Sequence, residues 1–219
     1  MAAACARASR LPDAARLVAI SKTVPVERLR LAQAAGHDLL GENRVQEAAD
    51  KIPLLGPSHW HLVGHLQKNK AAKAVELFDV IESVDSSALA TRLDRLVGER
   101  GSRAGGRLPI LLQVNVDGDP AKAGFLPEAL ERELESVLVL PNLEVGGLMT
   151  VGFHTGGGEA ARPTFARLRE LSERLRATDP RLGPDLSMGM TDDYEVAIEE
   201  GSTLVRVGRA LFGERPPPA

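Results

Sequence analysis

A lysine follows directly on an apolar run near the beginning of the chain. Residues 17–25 read LVAISKTVP, so that a run of Leu, Val, Ala and Ile leads into Lys22. A short apolar run next to a proline-containing segment is typical of a buried strand, whereas lysine is rarely buried without a partner. Lys22 therefore lies either at the solvent-facing end of a strand or in a pocket that uses a primary amine.

Polar side chains and glycines follow the later apolar runs in the same way. Some polar residues are expected at strand ends by chance, because strands end in loops. A lysine, amides, a histidine and an arginine at the ends of different strands are less expected, and together they form a candidate site. The candidate residues beyond Lys22 are Asn43, His65, Met149, Ser187, Gly189, Arg206, Gly208 and Arg209.

Eight strand-like runs alternate with segments of helical period. The alternation predicts an α/β fold, a single (β/α)8 TIM barrel, with an open doubly wound sheet as the alternative. In a barrel the carboxyl ends of the strands meet at one mouth, which would bring the candidate residues together. Pro25 and Gly36 bound one helical segment, and Ser86 or Ser87 is the cap candidate of another. The runs are RLVAIS, HDLLG, HWHLVGH, FDVIESV, PILLQVNV, LEVGGLMTV, DLSMGM and TLVRVG.

Two glycine-bearing turns indicate an anion site at that mouth. SMGM (187–190) and RVGR (206–209) follow the seventh and eighth runs, where barrels often bind phosphate through backbone amides. The plainer alternative is that Gly189 and Gly208 only serve tight turns. A phosphate site facing Lys22 suggests pyridoxal 5′-phosphate (PLP), whose aldehyde would form a Schiff base with the amine. Arg206 would then be the partner of the ring nitrogen.

Motifs along nearly the whole chain resemble the PLP homeostasis protein family, of the YggS/PROSC type. The matching stretches between residues 17 and 215 include LVAISKTVP, GENRVQEAADK, WHLVGHLQKNK, LSMGMTDDYEVAIEEGST and VRVGRALFGER. The resemblance implies a fold-type III PLP barrel like the N-terminal domain of alanine racemase, without a second β domain. Residues 1–219 would be one PLP-binding domain, with a partial N-terminal helix in residues 1–15. The proline-rich residues 214–219 are expected to fray.

The resemblance also implies roles for the candidate residues. Lys22 would carry the Schiff base, and Asn43 would lie beside the cofactor. Ser187 and the Gly208 turn would hold the phosphate, and Arg206 would face the ring nitrogen.

Three further candidates have two possible roles each. The family usually has Ser or Thr after Gly208, and here Arg209 would either bind the phosphate or point to solvent. His65 would either reach the mouth or make a structural hydrogen bond. Met149 would pack near the ring rather than take part in chemistry.

The predicted function is buffering and delivery of PLP without catalysis, with apo PLP-dependent enzymes as recipients. An arginine cannot accept a proton, so Arg206 would leave the ring nitrogen unprotonated and weaken the electron sink that catalysis uses. Without a second domain the mouth would stay open, which favours loading and release over protected chemistry.

Two alternatives stay open. The first is a small fold-type III enzyme such as an amino-acid racemase, since alanine racemases also place an arginine at the ring nitrogen. The second is a barrel enzyme that acts on a phosphorylated metabolite without PLP, with Lys22 binding a carbonyl group.

Composition bounds the partners and the compartment. The 219 residues carry a net charge of −3, which does not indicate a nucleic-acid or membrane partner. A single cysteine, Cys5, and the lack of a secretory signal pattern predict a cytoplasmic protein. No metal site is expected, because no carboxylate or cysteine joins His59, His61 and His65 at ligand spacing. A monomer is expected, since no long apolar surface stripe is left over.

Overall fold

The computed structural model describes residues 1–100, 106–152 and 157–213. Eight parallel strands pair in chain order and close into a barrel, because the first strand also pairs with the eighth. The predicted (β/α)8 barrel is therefore confirmed, and the open doubly wound sheet is ruled out. The strands are β1 (Arg16–Ile20), β2 (Leu39–Glu42), β3 (His59–Leu62), β4 (Val80–Val84), β5 (Leu108–Gln113), β6 (Leu143–Met149), β7 (Asp185–Ser187) and β8 (Leu204–Val207).

Helices lie between the strands, and short 3₁₀ turns supplement them at residues 52–54, 68–70 and 158–161. One further helix, made by residues 2–7, precedes β1 and lies within the predicted N-terminal segment. The helices of the described residues are α1 (Ala2–Arg7), α2 (Val26–Ala34), α3 (Val45–Lys51), α4 (Ala71–Leu77), α5 (Ser87–Glu99), α6 (Pro127–Leu138), α7 (Arg162–Thr178), α8 (Tyr194–Glu199) and α9 (Arg209–Phe212).

Single residues explain both ends of α2 and the start of α5. Pro25 takes an extended conformation immediately before α2, and Gly36 adopts a φ of +89° just after the helix ends. Only glycine adopts that conformation at little cost, so the helix stops there. Ser86 caps α5 by accepting a hydrogen bond from the Leu89 amide at 3.3 Å.

The apolar core of the described residues has three parts: a large outer one between the sheet and its helices, a small inner one inside the barrel, and a small one where α1 and α8 pack near β8. The outer part contains the fully buried rings of Phe78 and Phe165, and the inner part contains Val18, Leu111 and Leu204. This inner layer lies below the carboxyl ends of the strands, so the barrel is filled by side chains and the space for a ligand begins above it.

Some predictions fall outside the described residues. The tail at 214–219 does, and so do parts of the two glycine-rich connections, residues 101–105 and 153–156. No helix in the described part of the chain is long and apolar enough to cross a membrane. The same residues contain no group of three His, Cys, Asp or Glu side chains that could hold a metal ion.

Candidate functional site

A pocket of about 640 Å³ opens at the carboxyl ends of the barrel strands. Its size is within the range of small-molecule sites in proteins. Its wall combines apolar side chains with an amine, an amide, a hydroxyl and two guanidinium groups. The lining residues are Ile20, Lys22, Asn43, Val63, Val151, Met190, Thr191, Asp192, Arg206, Gly208 and Arg209.

Lys22 lies in a tight turn directly after β1, with its side chain at the pocket wall. The turn is closed by the Val24 amide, which donates to the Ser21 carbonyl at 2.9 Å. Thr23 adopts a φ of +62°, which is a strained conformation for a β-branched residue. Among the residues that the structure describes, none forms a hydrogen bond or ion pair with the Lys22 amine. That amine is therefore free to meet a ligand.

A buried ion-pair network supports this turn from below. The Lys51 ammonium donates to the Ser21 carbonyl at 2.7 Å, to Glu42 Oε2 at 2.8 Å and to Glu47 Oε2 at 3.1 Å. The Ser21 hydroxyl also donates to Glu42 Oε2 at 2.7 Å, and the Thr23 amide donates to Glu47 Oε2 at 3.0 Å. Partial burial alone would raise the pKa of Glu47, but the hydrogen bonds from Thr23 and Lys51 outweigh it and lower that pKa.

Asn43 lies beside Lys22 because Glu42 and Gly64 hold its backbone. The Asn43 amide donates to Glu42 Oε1 at 2.7 Å. A Cβ at Gly64 would come within 2.3 Å of the Asn43 carbonyl oxygen, so only glycine permits this close approach of the two loops. The loop after β2 is thereby fixed against the loop after β3, with Asn43 at the pocket.

Arg206 is buried on β8 and held in one orientation. Its Nη1 donates to the Ser187 hydroxyl at 2.6 Å and its Nη2 donates to the Thr150 carbonyl at 2.7 Å. Burial lowers the pKa of Arg206, although the nearby carboxylates of Glu82 and Asp193 oppose that effect. An arginine keeps its proton even so, and the guanidinium presents a fixed positive group to the pocket.

Behind Arg206 lies the carboxylate of Glu82, which is fully buried. Its Oε1 lies 2.5 Å from His61 Nδ1, and its Oε2 accepts from the Ser187 hydroxyl at 2.5 Å. Burial alone would raise the pKa of Glu82, but His61, the charge of Arg206 and the Ser187 hydroxyl lower it. Strands β3, β4, β7 and β8 are thus joined by one polar network under the pocket.

The loops after β7 and β8 form the other side of the pocket. Thr191 and Asp192 follow β7, and Gly208 and Arg209 follow β8. A Cβ at Gly208 would lie 3.3 Å from the Ile20 Cβ, so the loop passes close to the end of β1. Arg209 forms an ion pair with Asp192, and both side chains are substantially exposed, at 45% and 73%. Whether Arg209 binds a phosphate or points to solvent stays a prediction, but its guanidinium is engaged by Asp192 at the pocket rim.

Five of the predicted site residues line the pocket. They are Lys22, Asn43, Arg206, Gly208 and Arg209. Their contact with a ligand stays a prediction, but the structure brings them together as the barrel interpretation requires.

The other four predicted residues do not line the pocket, and in each case the contacts of the residue explain why. Ser187 is fully buried, and its hydroxyl is engaged by Glu82 and Arg206. Met149 packs inside the barrel with the inner apolar layer. His65 is 60% exposed, with its Nδ1 lying 3.1 Å from Asp85 Oδ2. A Cβ at Gly189 would lie 2.5 Å from that of Ala197, so this glycine serves the packing of α8.

Thr191 carries the hydroxyl among the pocket residues that sequence reasoning did not assign to the site; the others are Ile20, Val63, Val151, Met190 and Asp192. Thr191 stands one residue after the SMGM turn, and its hydroxyl lies in the loop where an anion site was expected. The signal was present in the sequence, since a hydroxyl next to a glycine turn is a common anion ligand.

The chain is similar in sequence to a family model and to proteins of known name. Residues 3–216 match the family model described as alanine racemase, N-terminal domain. A pyridoxal phosphate homeostasis protein of Aquifex aeolicus is 42% identical over 97% of this chain and 92% of its own length. A protein of the same name from Pseudomonas aeruginosa is 44% identical over 95% of this chain and 88% of its own length.

Solved structures of related proteins are also similar to the chain. PipY of Synechococcus elongatus, in a structure with PLP bound, is 42% identical with a TM-score of 0.85, covering 97% of this chain and 99% of its own. Alanine racemase of Clostridium difficile superposes with a TM-score of 0.76 at 14% identity, covering 93% of this chain and 53% of its own. That second likeness concerns the fold alone. Family model, relatives and structures together show that the chain belongs to the pyridoxal phosphate homeostasis proteins, within the alanine racemase N-terminal domain family.

Proposed function

We propose that this protein binds PLP in the pocket at the barrel mouth, holds it covalently through Lys22, and buffers and delivers it without catalysing a reaction on it. One observation carries the proposal. The amine of Lys22, which forms no hydrogen bond or ion pair within the described part of the chain, lies in the same pocket as a hydroxyl, a glycine turn and two guanidinium groups. That set of groups suits a ligand with a carbonyl and an anionic tail.

The pocket residues fit the parts of PLP. When bound, PLP supplies an aldehyde that condenses with a primary amine to give a Schiff base and water. Lys22 would provide the amine. The phosphate would be held by the Thr191 hydroxyl, the Gly208 turn and Arg209, rather than by Ser187, whose donor is already used.

Arg206 would meet the ring nitrogen as a hydrogen-bond donor. Because Ser187 and the Thr150 carbonyl take up only part of its five N–H donors, some remain for the pocket. A guanidinium at this place keeps the ring nitrogen unprotonated and so lowers the capacity of the ring to take up electrons. This arrangement weakens the electron sink, but it does not distinguish storage from an amino-acid racemase, since alanine racemases also place an arginine at the ring nitrogen.

The chemistry of the pocket wall supports a role without catalysis. A racemase needs a second acid or base besides the lysine. Among the described residues at the pocket, no imidazole or phenol is present, and the one carboxylate, that of Asp192, is paired with Arg209. The relatives named above are called homeostasis proteins, in agreement with this role.

The proposal also covers the domain organisation, the oligomeric state, the compartment and the recipients of PLP. The protein acts as one PLP-binding domain and as a monomer in the cytoplasm, with apo PLP-dependent enzymes as recipients. The net charge of −3 and the single, buried Cys5 support this proposal.

Two measurements separate the proposal from its alternatives. The PLP-loaded protein is incubated with single amino acids in D₂O, and then with an excess of an apo PLP-dependent enzyme. The proposal expects no deuterium at Cα and activation of the apo-enzyme as the visible PLP band of the donor declines. Rapid Cα exchange would favour an amino-acid racemase, and the lack of any PLP band would favour an enzyme of phosphorylated metabolites.

A further inference from the structure

We propose that Lys51 is a positioning residue, which acts through the turn of residues 21–24 to hold the Lys22 amine where it captures the aldehyde of PLP. This inference rests on the proposed function. It concerns a buried lysine that touches no part of the pocket wall, and it gives that lysine a role distinct from general stability.

The contacts of Lys51 use all of its hydrogen-bonding capacity. An ammonium has three donors, and they reach the Ser21 carbonyl, Glu42 and Glu47 at 2.7, 2.8 and 3.1 Å. These acceptors belong to the end of β1, the end of β2 and α3. One buried charge therefore ties together the elements that surround Lys22.

The turn needs such a support because its backbone is strained. Thr23 follows Lys22 and has a φ of +62°, in the left-handed region that L-residues with branched side chains avoid. Its amide donates to the same Glu47 oxygen that accepts from Lys51. A conformation of this kind persists only where the surroundings hold it, and strain of this kind is typical of functional sites.

Loss of Lys51 would affect one half of the pocket only. The Ser21 carbonyl would lose its hydrogen bond from Lys51, and Glu47, which accepts from the Thr23 amide, would lose its ammonium partner. The turn would be held less firmly, so the Lys22 amine would sample more directions. Thr191 follows β7, Arg206 lies on β8 and Arg209 follows β8, and none of the three hydrogen bonds of Lys51 reaches them. The positioning role therefore predicts slower capture of the aldehyde with unchanged binding of the ring and phosphate.

The test compares two ligands that differ only at the reacting group. The first is PLP, whose capture is followed by stopped-flow absorbance. The second is 4-deoxypyridoxine 5′-phosphate, which has a methyl group in place of the aldehyde and reports binding of the ring and phosphate by calorimetry. In Lys51→Met, capture should slow by about tenfold to a hundredfold, while the affinity for the deoxy analogue changes by less than about twofold.

Two more variants keep the test decisive. Glu47→Gln preserves shape and removes a charge from a partly exposed position, so that it tests the same network should Lys51→Met fail to fold; its capture rate should fall in the same direction. Lys73→Met is the matched control, because Lys73 forms an ion pair with Glu76 on the exposed face of α4. It should behave as wild type with both ligands.

Other outcomes overturn the inference in distinguishable ways. Wild-type capture rates in both network variants would show that the turn does not need Lys51. A parallel loss of affinity for both ligands would show a structural role only. If the wild-type protein itself captures no PLP, the proposed function fails and the positioning role fails with it.

Discussion

Lys22 and Arg206 are both cations of the same pocket, but their surroundings differ. Arg206 is buried, and its guanidinium is fixed by Ser187 and the Thr150 carbonyl. Lys22 is partly exposed, and its amine has no partner among the described residues. A fixed guanidinium suits recognition, whereas a free amine suits bond formation. The roles that the residue types suggest are thus supported by what each side chain contacts.

Arg209 directly follows Gly208, at the position where the resemblance predicted a Ser or Thr hydroxyl. Its guanidinium is paired with Asp192 across the loops after β8 and β7. A bound phosphate would compete with the Asp192 carboxylate for the same donors. The pair is exposed, so its effect on binding is expected to be modest.

The Asp192→Asn variant should therefore bind PLP more tightly, by about two- to fivefold at low salt. The gain should shrink at high salt, where the ion pair is screened in the wild type as well. Equilibrium titration of PLP absorbance measures both effects. Glu128→Gln, on the exposed surface of α6, is the control for a general change in net charge. Weaker binding in Asp192→Asn would show that Asp192 orients Arg209 for the phosphate instead of competing with it.

At the scale of elements, the turn between β7 and α8 depends on one glycine. Gly189 has a φ of +94°, and a Cβ there would lie 2.5 Å from the Cβ of Ala197. Gly36, after α2, has a similar φ of +89° but open space around it. The two positions separate backbone strain from crowding.

Gly189→Ala should destabilise the protein more than Gly36→Ala does. Both substitutions carry the backbone cost of roughly 1–2 kcal/mol, and only Gly189→Ala adds overpacking of about 1–3 kcal/mol. Urea unfolding of both variants gives the comparison. Equal losses of unfolding free energy would mean that α8 moves away from the turn freely.

The positions of the elements were predictable from local sequence, because the signals for strands and helix ends are local. The apolar run before Lys22 became β1, and Ser86 caps α5 as expected. The pocket was predictable in part, since the carboxyl ends of parallel strands share one mouth.

The depth of a side chain within the barrel was not predictable. Met149 and Ser187 are directly paired neighbours on β6 and β7, and both lie inside the barrel below the pocket. Alternation along a strand tells which residues face inward, but not which layer they occupy. The contacts of Lys51 with Glu42, and of Glu82 with His61, connect different elements. A local sequence pattern therefore cannot predict them.

At the scale of the whole molecule, carboxylates dominate the response to acid. Contacts with positive or hydrogen-bonding groups lower the pKa of several of them, and the pKa of Asp179 falls to about 2 through its hydrogen bonds from Arg181. A lowered folded-state pKa contributes stability above the unfolded-state value and loses it as the pH falls through the folded-state value. The residues concerned are Glu47, Glu76, Glu82, Glu159, Asp179, Glu195 and Glu199.

The free energy of unfolding should therefore be nearly constant from about pH 8 to pH 6 and fall steadily below about pH 4.5. Glu82→Gln tests the buried member of the set. Its difference from wild type should be largest near neutral pH and shrink in acid, where Glu82 becomes protonated and resembles glutamine. Urea titrations at several pH values give both curves. A difference that grows in acid would reverse the assigned direction of the Glu82 pKa.

The central claim is that PLP forms its covalent bond with Lys22 and with no other lysine of the chain. It is tested most directly by reducing the PLP-loaded protein with borohydride, digesting it and mapping the modified lysine by mass spectrometry, with Lys22→Ala as the companion variant. The account predicts the pyridoxyl mass on Lys22 in the wild type and its loss in Lys22→Ala, with the far-ultraviolet circular dichroism spectrum unchanged. Modification of another lysine in the wild type, or an equal yield in Lys22→Ala, would contradict it.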